Sequence, residues 1–298
     1  MRLRSLLFVP GDSEKKFARA SAGAADALIL DLEDAVAPSR KAEARALVTD
    51  LIARERAGLW RCFVRVNALD TGLTLNDLAA VVRPGLDGLL IPKANGAHDV
   101  DRIGHYLDAL EVRAGMVLGT VRIAVVSTET PAAMFALGSY APAHPRLVAL
   151  TWGAEDLAAA IGATANQEVG GEWALPYQVA RAQCLFAASA AAVAPIDTLF
   201  ADYRDSDGLA ADCLRARRDG FTGRIAIHPD QVDTINRCFS PSAEDLAHAH
   251  RVVAAFAAAP DAGTIGIDGR MYDIPHLKNA RRTLAAADEP GARRERTR

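Results

Sequence analysis

Acidic side chains recur beside short apolar runs in this chain. Asp31, Glu33 and Asp34 close the run at 27–31, and Glu129 lies in Ser127-Thr128-Glu129-Thr130. Glu155 and Asp156 lie in Trp152-Gly153-Ala154-Glu155-Asp156-Leu157, and Asp197 follows a later run. Arg65, Asn67, Lys93 and His228 occupy equivalent places after other runs. Carboxylates that converge on one mouth repel each other unless a cation sits among them. A hard divalent cation meets that need: Mg²⁺ takes one or two protein carboxylates and leaves its other positions to water and substrate. Glu129 and Asp156 suit that role. Arg65 offers a fixed, always-charged fork for a substrate carboxylate or an enolate oxygen. The competing reading is local. Glu129 and Asp156 both stand where a helix begins, and the helix dipole favours carboxylates there regardless of function.

Those side chains need elements to hold them. Apolar runs at 5–9, 27–31, 62–66, 88–91, 123–127, 147–151, 191–194 and 224–227 are spaced by roughly the length of a strand–helix unit. Segments at 39–56, 132–138, 173–189 and 205–219 read as helices, and Pro131 suits a first helical turn. Near-continuous apolar strands between helices imply a parallel sheet buried on both faces. Eight such units closing on themselves predict an α/β fold, a (β/α)₈ TIM barrel over 1–230, with its reactive groups at the C-terminal strand ends. A doubly wound sheet would need Gly-x-Gly-x-x-Gly after the first strand, and none is present. A C-terminal extension at 231–287 holds helices at 242–258 and from Pro275, separated by a turn-rich 261–269 stretch. The charged 288–298 tail is expected to fray.

Composition narrows the function classes. The 298 residues are 50% hydrophobic and carry 34 basic against 37 acidic side chains, for a formal net charge of −3. That supports a sizeable core and excludes disorder or a small disulfide-stapled fold. It leaves no basic field for nucleic acid. Cys62, Cys184, Cys213 and Cys238 lie far apart without a Cys-x-x-Cys pair, which predicts separate buried thiols rather than a zinc ribbon or redox motif. The first apolar run stops at Pro10-Gly11-Asp12, too short for a signal peptide. The 185–196 stretch falls short of the ~20 residues of a membrane span. The expectation is a soluble cytoplasmic protein with no membrane partner.

Several longer strings, in order, resemble the citrate lyase β-subunit-like proteins, acyl-CoA ester lyases of the phosphoenolpyruvate/pyruvate superfamily. Arg4-Ser5-Leu6-Leu7-Phe8-Val9-Pro10-Gly11 resembles that family's opening, and Ile29-Leu30-Asp31-Leu32-Glu33-Asp34-Ala35-Val36 its second-strand signature. The likeness continues through Val64-Arg65-Val66-Asn67, Glu129-Thr130, the Trp152–Leu157 string, Ile227-His228-Pro229 and Asp268-Gly269-Arg270-Met271-Tyr272-Asp273-Ile274-Pro275. It implies Mg²⁺ held by Glu129 and Asp156, with Glu155 the neighbour most easily confused with a ligand. It also implies Arg65 facing the reacting centre, and trimers or hexamers whose C-terminal extension delivers Asp273 to a neighbouring subunit's barrel mouth.

The implied reaction cleaves a 3-hydroxy-dicarboxyl-CoA thioester of the malyl-CoA or citramalyl-CoA type. The products are a 2-oxo acid, glyoxylate or pyruvate, and a shorter acyl-CoA. Arg65 would stabilise the enolate charge and Asp273 would protonate the enolate carbon. Glu33 or Asp34 would assist loss of the hydroxyl proton, or else hydrogen-bond Arg65 or metal waters. A citryl-carrier-protein lyase subunit and a thioesterase are neighbouring readings. A non-catalytic CoA-binding protein is the reading from another class, against which the full set Arg65, Glu129, Asp156 and Asp273 speaks.

CoA brings a pyrophosphate and a 3′-phosphate. Arg4, Lys15, Lys16 and Arg19 cluster around the first strand–helix loop and would face them, or simply form a solvated helix face. Asn67 is a further substrate contact beside Arg65. His228 would donate to substrate or merely shape the mouth. The related hydroxy-oxo-acid aldolases carry a histidine base near the second strand, where this chain has Asp34, so the free-acid branch is disfavoured. The 162–172 loop has no Arg or Lys for a second anionic group.

Overall fold

A strand buried on both faces shows no polar side, and the apolar runs form such strands. The computed structural model describes residues 1–54 and 60–288. In it β1 (Ser5–Pro10), β2 (Ala27–Asp31), β3 (Arg61–Arg65), β4 (Gly88–Ile91), β5 (Arg122–Val126), β6 (Leu147–Thr151), β7 (Ala194–Asp197) and β8 (Gly223–Ala226) pair in parallel in chain order, and β8 closes on β1. Side chains alternate across each strand. Leu6, Ile29, Phe63, Leu90, Ala124 and Ile225 belong to the cluster that fills the barrel interior. Leu7, Leu28, Leu30, Val64 and Leu89, between them in sequence, are equally buried and lie under the helices. Gly88 makes room inside, since a Cβ there would stand 2.4 Å from the Phe63 ring.

The connecting helices are α1 (Glu14–Ser21), α2 (Lys41–Ala53), α3 (Thr74–Val81), α4 (Ala97–Arg113), α5 (Pro131–Met134), α6 (Glu155–Ile161), α7 (Leu175–Ala190), α8 (Ser206–Asp219) and α9 (Val232–Cys238). Ser13, Thr130 and Asp205 start three of them by accepting a backbone N–H from the first turn. The expected helix at 132–138 breaks into α5 and a separate turn over Leu137–Tyr140. The expected helix at 39–56 begins at Lys41, and its predicted end lies outside the described residues. The expected seventh strand at 191–194 is three residues early. α7 runs to Ala190, Ala192 adopts a left-handed backbone, and the strand starts at Ala194 despite Pro195. α4 escaped the periodic reading because Glu111 occupies one of its buried positions, hydrogen-bonded to Arg146 at 2.7 and 2.8 Å.

The chain divides into two compact units, 3–236 and 237 onward, with residues 1–2 in the second. The division falls after the expected boundary at 230 because Asn236 is tied into the barrel. Its Oδ1 accepts from Ser5 Oγ at 2.8 Å and its Nδ2 donates to Ala24 O at 2.8 Å. In the second unit α10 (Ala243–Ala258) packs on α11 (Ile274–Asp288) through Ala249, Val252, Phe256, Leu277 and Ala280. The stretch expected to be turn-rich is an antiparallel hairpin, β9 (Thr264–Ile267) and β10 (Arg270–Asp273). Its Asp268-Gly269 loop has positive φ at both residues, the geometry that matches strand twist in a two-residue hairpin. The expected frayed tail, past Asp288, lies outside the described residues. All four cysteines are buried free thiols, and among the described residues no helix is long and apolar enough to cross a membrane.

One buried charge fixes the loop after β6. Asp197 accepts from Trp152 Nε1 at 2.6 Å and pairs with Arg224 at 3.0 Å and Arg181 at 3.2 Å. Burial works to raise its pKa, but the charges of Arg224 and Arg181 and the hydrogen bonds from Arg181 and Trp152 outweigh it and hold it below the ordinary value. The stabilisation is therefore complete above the unfolded-chain pKa of about 4 and is lost as pH falls through the lower native value. Asp197→Ala leaves Arg224 with Asp212 and Arg181 with Asp219 but strips the Trp152 N–H of its acceptor, and is expected to cost about 1–3 kcal/mol, read from urea unfolding at pH 7. The deficit should shrink when the measurement is repeated near pH 3.

Candidate active site

Two residues beyond Ile29 and Phe63 on the same inward faces stand Asp31 and Arg65. Strand register pairs them directly. Arg65 Nε donates to Asp31 Oδ1 at 2.8 Å and Nη2 to Oδ2 at 2.6 Å, a two-pronged pair. Asp31 also accepts the backbone N–H groups of Glu33 (2.9 Å) and Ala35 (3.2 Å), which folds the loop back over the barrel mouth. Glu33 then meets Arg65 Nη1 at 2.9 Å, and the guanidinium lies 4.6 Å from the Phe8 ring centre. Burial acts to lower the Arg65 pKa, and Asp31, then Glu33 and Glu129, more than reverse it, so Arg65 stays charged.

Lys93 joins this pair to the other side of the mouth. It follows β4 in a left-handed backbone, φ 51°, uncommon for a side chain of this kind. That turn aims its backbone N–H at Glu129 Oε2, 2.6 Å away. Its ammonium contacts Glu33, Asp34 at 3.1 Å and Asp156 at 3.2 Å. Glu129 is buried. A Cβ on Gly153 would lie 2.8 Å from its Cγ and 3.0 Å from its Oε1, so glycine lets the β6–α6 loop close against the carboxylate. The Gly153 N–H donates to Thr128 Oγ1 at 3.2 Å, fastening the loops of β5 and β6 together. Asp156 follows in the first turn of α6, partly exposed.

The charge balance is uneven. Asp31, Glu33, Asp34, Glu129 and Asp156 face Arg65 and Lys93. Burial pushes the Glu129 pKa up to about 8; the Lys93 N–H opposes this, and the Asp156 and Glu33 charges add to it. The Glu33 pKa is also raised, by burial against the opposing pull of Arg65 and Lys93. A site with surplus carboxylates, oxygen donors and one buried carboxyl fits a small divalent cation. Among the described residues no three His, Cys, Asp or Glu side chains form a closed metal cage. Two carboxylates open to water and substrate are what Mg²⁺ commonly takes.

Arg65, Glu33, Asp34, Glu129 and Asp156 thus come together. Two expected contacts are revised. Arg4 lies at the opposite, N-terminal end of β1, buried, with Nε 3.0 Å and Nη2 3.1 Å from the Asp26 carboxylate, so it offers CoA no rim charge. Asn67 is buried, and its amide donates to Leu32 O at 3.0 Å and Asp77 Oδ2 at 2.7 Å. It braces the β2 and β3 loops instead of facing a ligand. Lys15 and Lys16 are exposed on α1, whereas Arg19 is paired with Asp230 at 3.0 Å. Glu155 accepts from Asn166 at 2.9 Å. His228 caps the turn at 229–231 and stacks on Tyr203 with ring centres 4.5 Å apart, which is the shaping role. Asp273 belongs to the second unit, where hydrogen bonding to His276 holds its pKa below the ordinary value. Sequence reasoning placed Lys93 at a strand end but gave it no role. Its left-handed backbone carries no residue signature, though its strand-end position was the available signal.

Residues 4–229 match the family model described as HpcH/HpaI aldolase/citrate lyase. The chain is 35% identical over 287 residues to a (3S)-malyl-CoA thioesterase of Cereibacter sphaeroides, covering 96% of this chain and 94% of that one. It is 33% identical to an L-malyl-CoA/beta-methylmalyl-CoA lyase of Rhodobacter capsulatus, with coverage of 93% and 92%. Among solved structures it is similar to protein CitE from Mycobacterium tuberculosis in complex with magnesium, acetoacetate and coenzyme A. That match has a TM-score of 0.75 and 33% identity, with 96% and 98% of the two chains covered.

With burial raising the Glu129 pKa to about 8, a cation bound there at neutral pH would displace a proton. Mg²⁺ affinity is therefore expected to rise with pH, becoming about tenfold tighter between pH 7 and pH 9. Calorimetry in two buffers of different ionisation enthalpy should show close to one proton released per ion at pH 7. Release of no proton at pH 7 would contradict the assignment of Glu129.

Proposed function

The chain belongs to the HpcH/HpaI aldolase/citrate lyase family, and from that premise we propose that it is a Mg²⁺-dependent carbon–carbon lyase acting on CoA esters. Its substrate is a 3-hydroxy-dicarboxyl-CoA thioester of the malyl-CoA or citramalyl-CoA type. Reversible cleavage gives glyoxylate or pyruvate and acetyl-CoA or a similar acyl-CoA. The observation that carries this reading is the buried Glu129 and the nearby Asp156 on the same acidic mouth as a locked Arg65. A relative solved with magnesium and coenzyme A together supports the pairing of metal and thioester.

Glu129 and Asp156 would hold Mg²⁺, which when bound supplies Lewis acidity to a hydroxyl and the carboxylate beside it. The remaining work falls to the chain. Arg65 needs no reorganisation, because Asp31 and Glu33 hold its plane before substrate arrives. It stabilises the negative charge that builds on the thioester enolate as the C–C bond breaks. Glu33, buried against Arg65 and Lys93, takes the hydroxyl proton; Asp34, mostly exposed, supports Lys93. Asp273 of a neighbouring subunit protonates the enolate carbon, and removes that proton in the condensing direction. Lys15 and Lys16 meet the CoA phosphates from the exposed face of α1. The assembly is a homotrimer or a hexamer built from it, working in the cytoplasm.

The relative named a thioesterase favours one second reading, hydrolysis of the thioester on the same scaffold. Product analysis separates the two. With Mg²⁺ and a panel of 3-hydroxy-dicarboxyl-CoA thioesters, the lyase yields a 2-oxo acid and an acyl-CoA in equal amounts, and chelator abolishes both. Free CoA and a hydroxy acid, without 2-oxo acid, would instead establish the thioesterase. Asp273→Asn should lower cleavage by about 10²-fold or more while CoA-ester binding survives.

A further inference from the structure

β6 ends at the barrel mouth on Thr151. Strand register places this residue beside Val126 on β5 and Ile196 on β7. Paired residues on adjacent strands face the same side of a sheet. Val126 and Ile196 both belong to the cluster inside the barrel, as does Ala149, two residues earlier on β6. Thr151 therefore points into the barrel and not toward the helices, and only 4% of it is exposed. Two residues later comes Gly153, where the loop closes on Glu129. The Thr151 carbonyl is doubly engaged, accepting from Ser127 N at 2.8 Å and Ser127 Oγ at 3.0 Å. Its hydroxyl is not: Oγ1 has no hydrogen-bond partner among the described residues. Thr128, just beyond β5, differs in spending its Oγ1 on the Gly153 N–H. Tyr140 and Tyr177 also hold buried hydroxyls without partners, but on connecting segments outside the strands.

A buried hydroxyl without a partner costs stability, and an apolar side chain of the same shape would avoid that cost. Such a group at the mouth of a barrel is suited to a ligand. The size of the substrate says which part of it arrives there. Leu6, Ile29, Phe63 and Ile225 fill the barrel interior, so the bulk of CoA stays outside and the acyl head enters first. In a 3-hydroxy-dicarboxyl thioester the free carboxylate stands at the end farthest from the sulfur. Val126 and Ile196 offer that carboxylate nothing polar, whereas the hydroxyl between them offers a donor. We propose that Thr151 is a substrate-binding and specificity-determining residue, its O–H donating to the free carboxylate that passes into the 2-oxo acid. The inference rests on the lyase reading and deepens it. An acyl head that ends in a methyl group would leave the hydroxyl unpaired, so the contact selects dicarboxylic over monocarboxylic 3-hydroxyacyl thioesters.

The test uses the full-length protein. Thr151→Val removes the donor and keeps the shape; Thr151→Ser keeps the donor. Calorimetry with Mg²⁺ and either glyoxylate or pyruvate reads binding apart from catalysis. Thr151→Val is expected to bind the 2-oxo acid about tenfold more weakly, or worse, with Mg²⁺ affinity unchanged. Its Tm without Mg²⁺ should equal or exceed that of the wild type, because no bond within the fold is lost. Thr151→Ser should keep the affinity. A structural role would instead lower Tm, so a marked fall in the Tm of Thr151→Val, or its failure to fold, means that the hydroxyl is already bonded and overturns the proposal. Weaker Mg²⁺ binding in the same variant would place the effect on the ion and also overturn it. Wild-type affinity for the 2-oxo acid in Thr151→Val removes this contact alone. A wild-type protein that binds neither 2-oxo acid with Mg²⁺ sinks the lyase reading, and the contact with it.

Discussion

Asp31 and Arg65 face each other across adjacent strands, and the barrel mouth is assembled outward from that pair. The carboxylate binds the guanidinium with both oxygens and uses the same oxygens to fold its own loop through the Glu33 and Ala35 N–H groups. A buried pair of this kind contributes little net stability by itself, because both charges lose water. Its value lies in geometry. With Asp31 fixed, Glu33 is held against Arg65 and Lys93; with Lys93 fixed between Glu33 and Asp156, its backbone N–H is aimed at Glu129. Each charge is held by the one before it, and the chain of contacts runs from β2 round to α6.

The same contacts leave the mouth short of positive charge. Two cations serve five carboxylates, and the one furthest from Arg65 in this sequence of contacts, Glu129, is buried and accepts a backbone N–H. Folding therefore keeps an unfavourable concentration of acid in one place. A binding site commonly stores strain of this sort, which a ligand of opposite charge relieves. The buried Asp197 cluster differs: Arg181 and Arg224 both reach its one central carboxylate, and it holds Trp152 and the loop beginning at Gly153.

Much of this was legible in the sequence because barrels write themselves as period. Strands buried on both faces are nearly pure apolar runs, and the polar residue just beyond each run marks the mouth; Arg65, Glu129 and Asp156 were found that way. The failures have physical causes. Arg4 precedes its strand and so stands at the end away from the mouth, while Asn67 stands at the mouth end, but spacing along the chain does not say that its side chain is already spent on a neighbour. Lys93 owes its role to a backbone angle that residue type does not announce. The strand at 264–267 lies in the 261–269 stretch expected to be turn-rich, because Gly263, Gly266 and Gly269 hide its alternation.

The closeness of Gly153 to Glu129 has a consequence for the Mg²⁺ site proposed there. A Cβ on Gly153 would collide with the Glu129 Cγ and Oε1, so the β6–α6 loop limits how far that carboxylate can withdraw on its side. A donor that cannot withdraw sorts cations by radius. Mg²⁺ binds oxygen at about 2.0–2.1 Å and Ca²⁺ at about 2.3–2.6 Å with more ligands around it. Under the proposed assignment of Glu129 to Mg²⁺, a glycine that touches no ion would thus act as a gauge of ionic size.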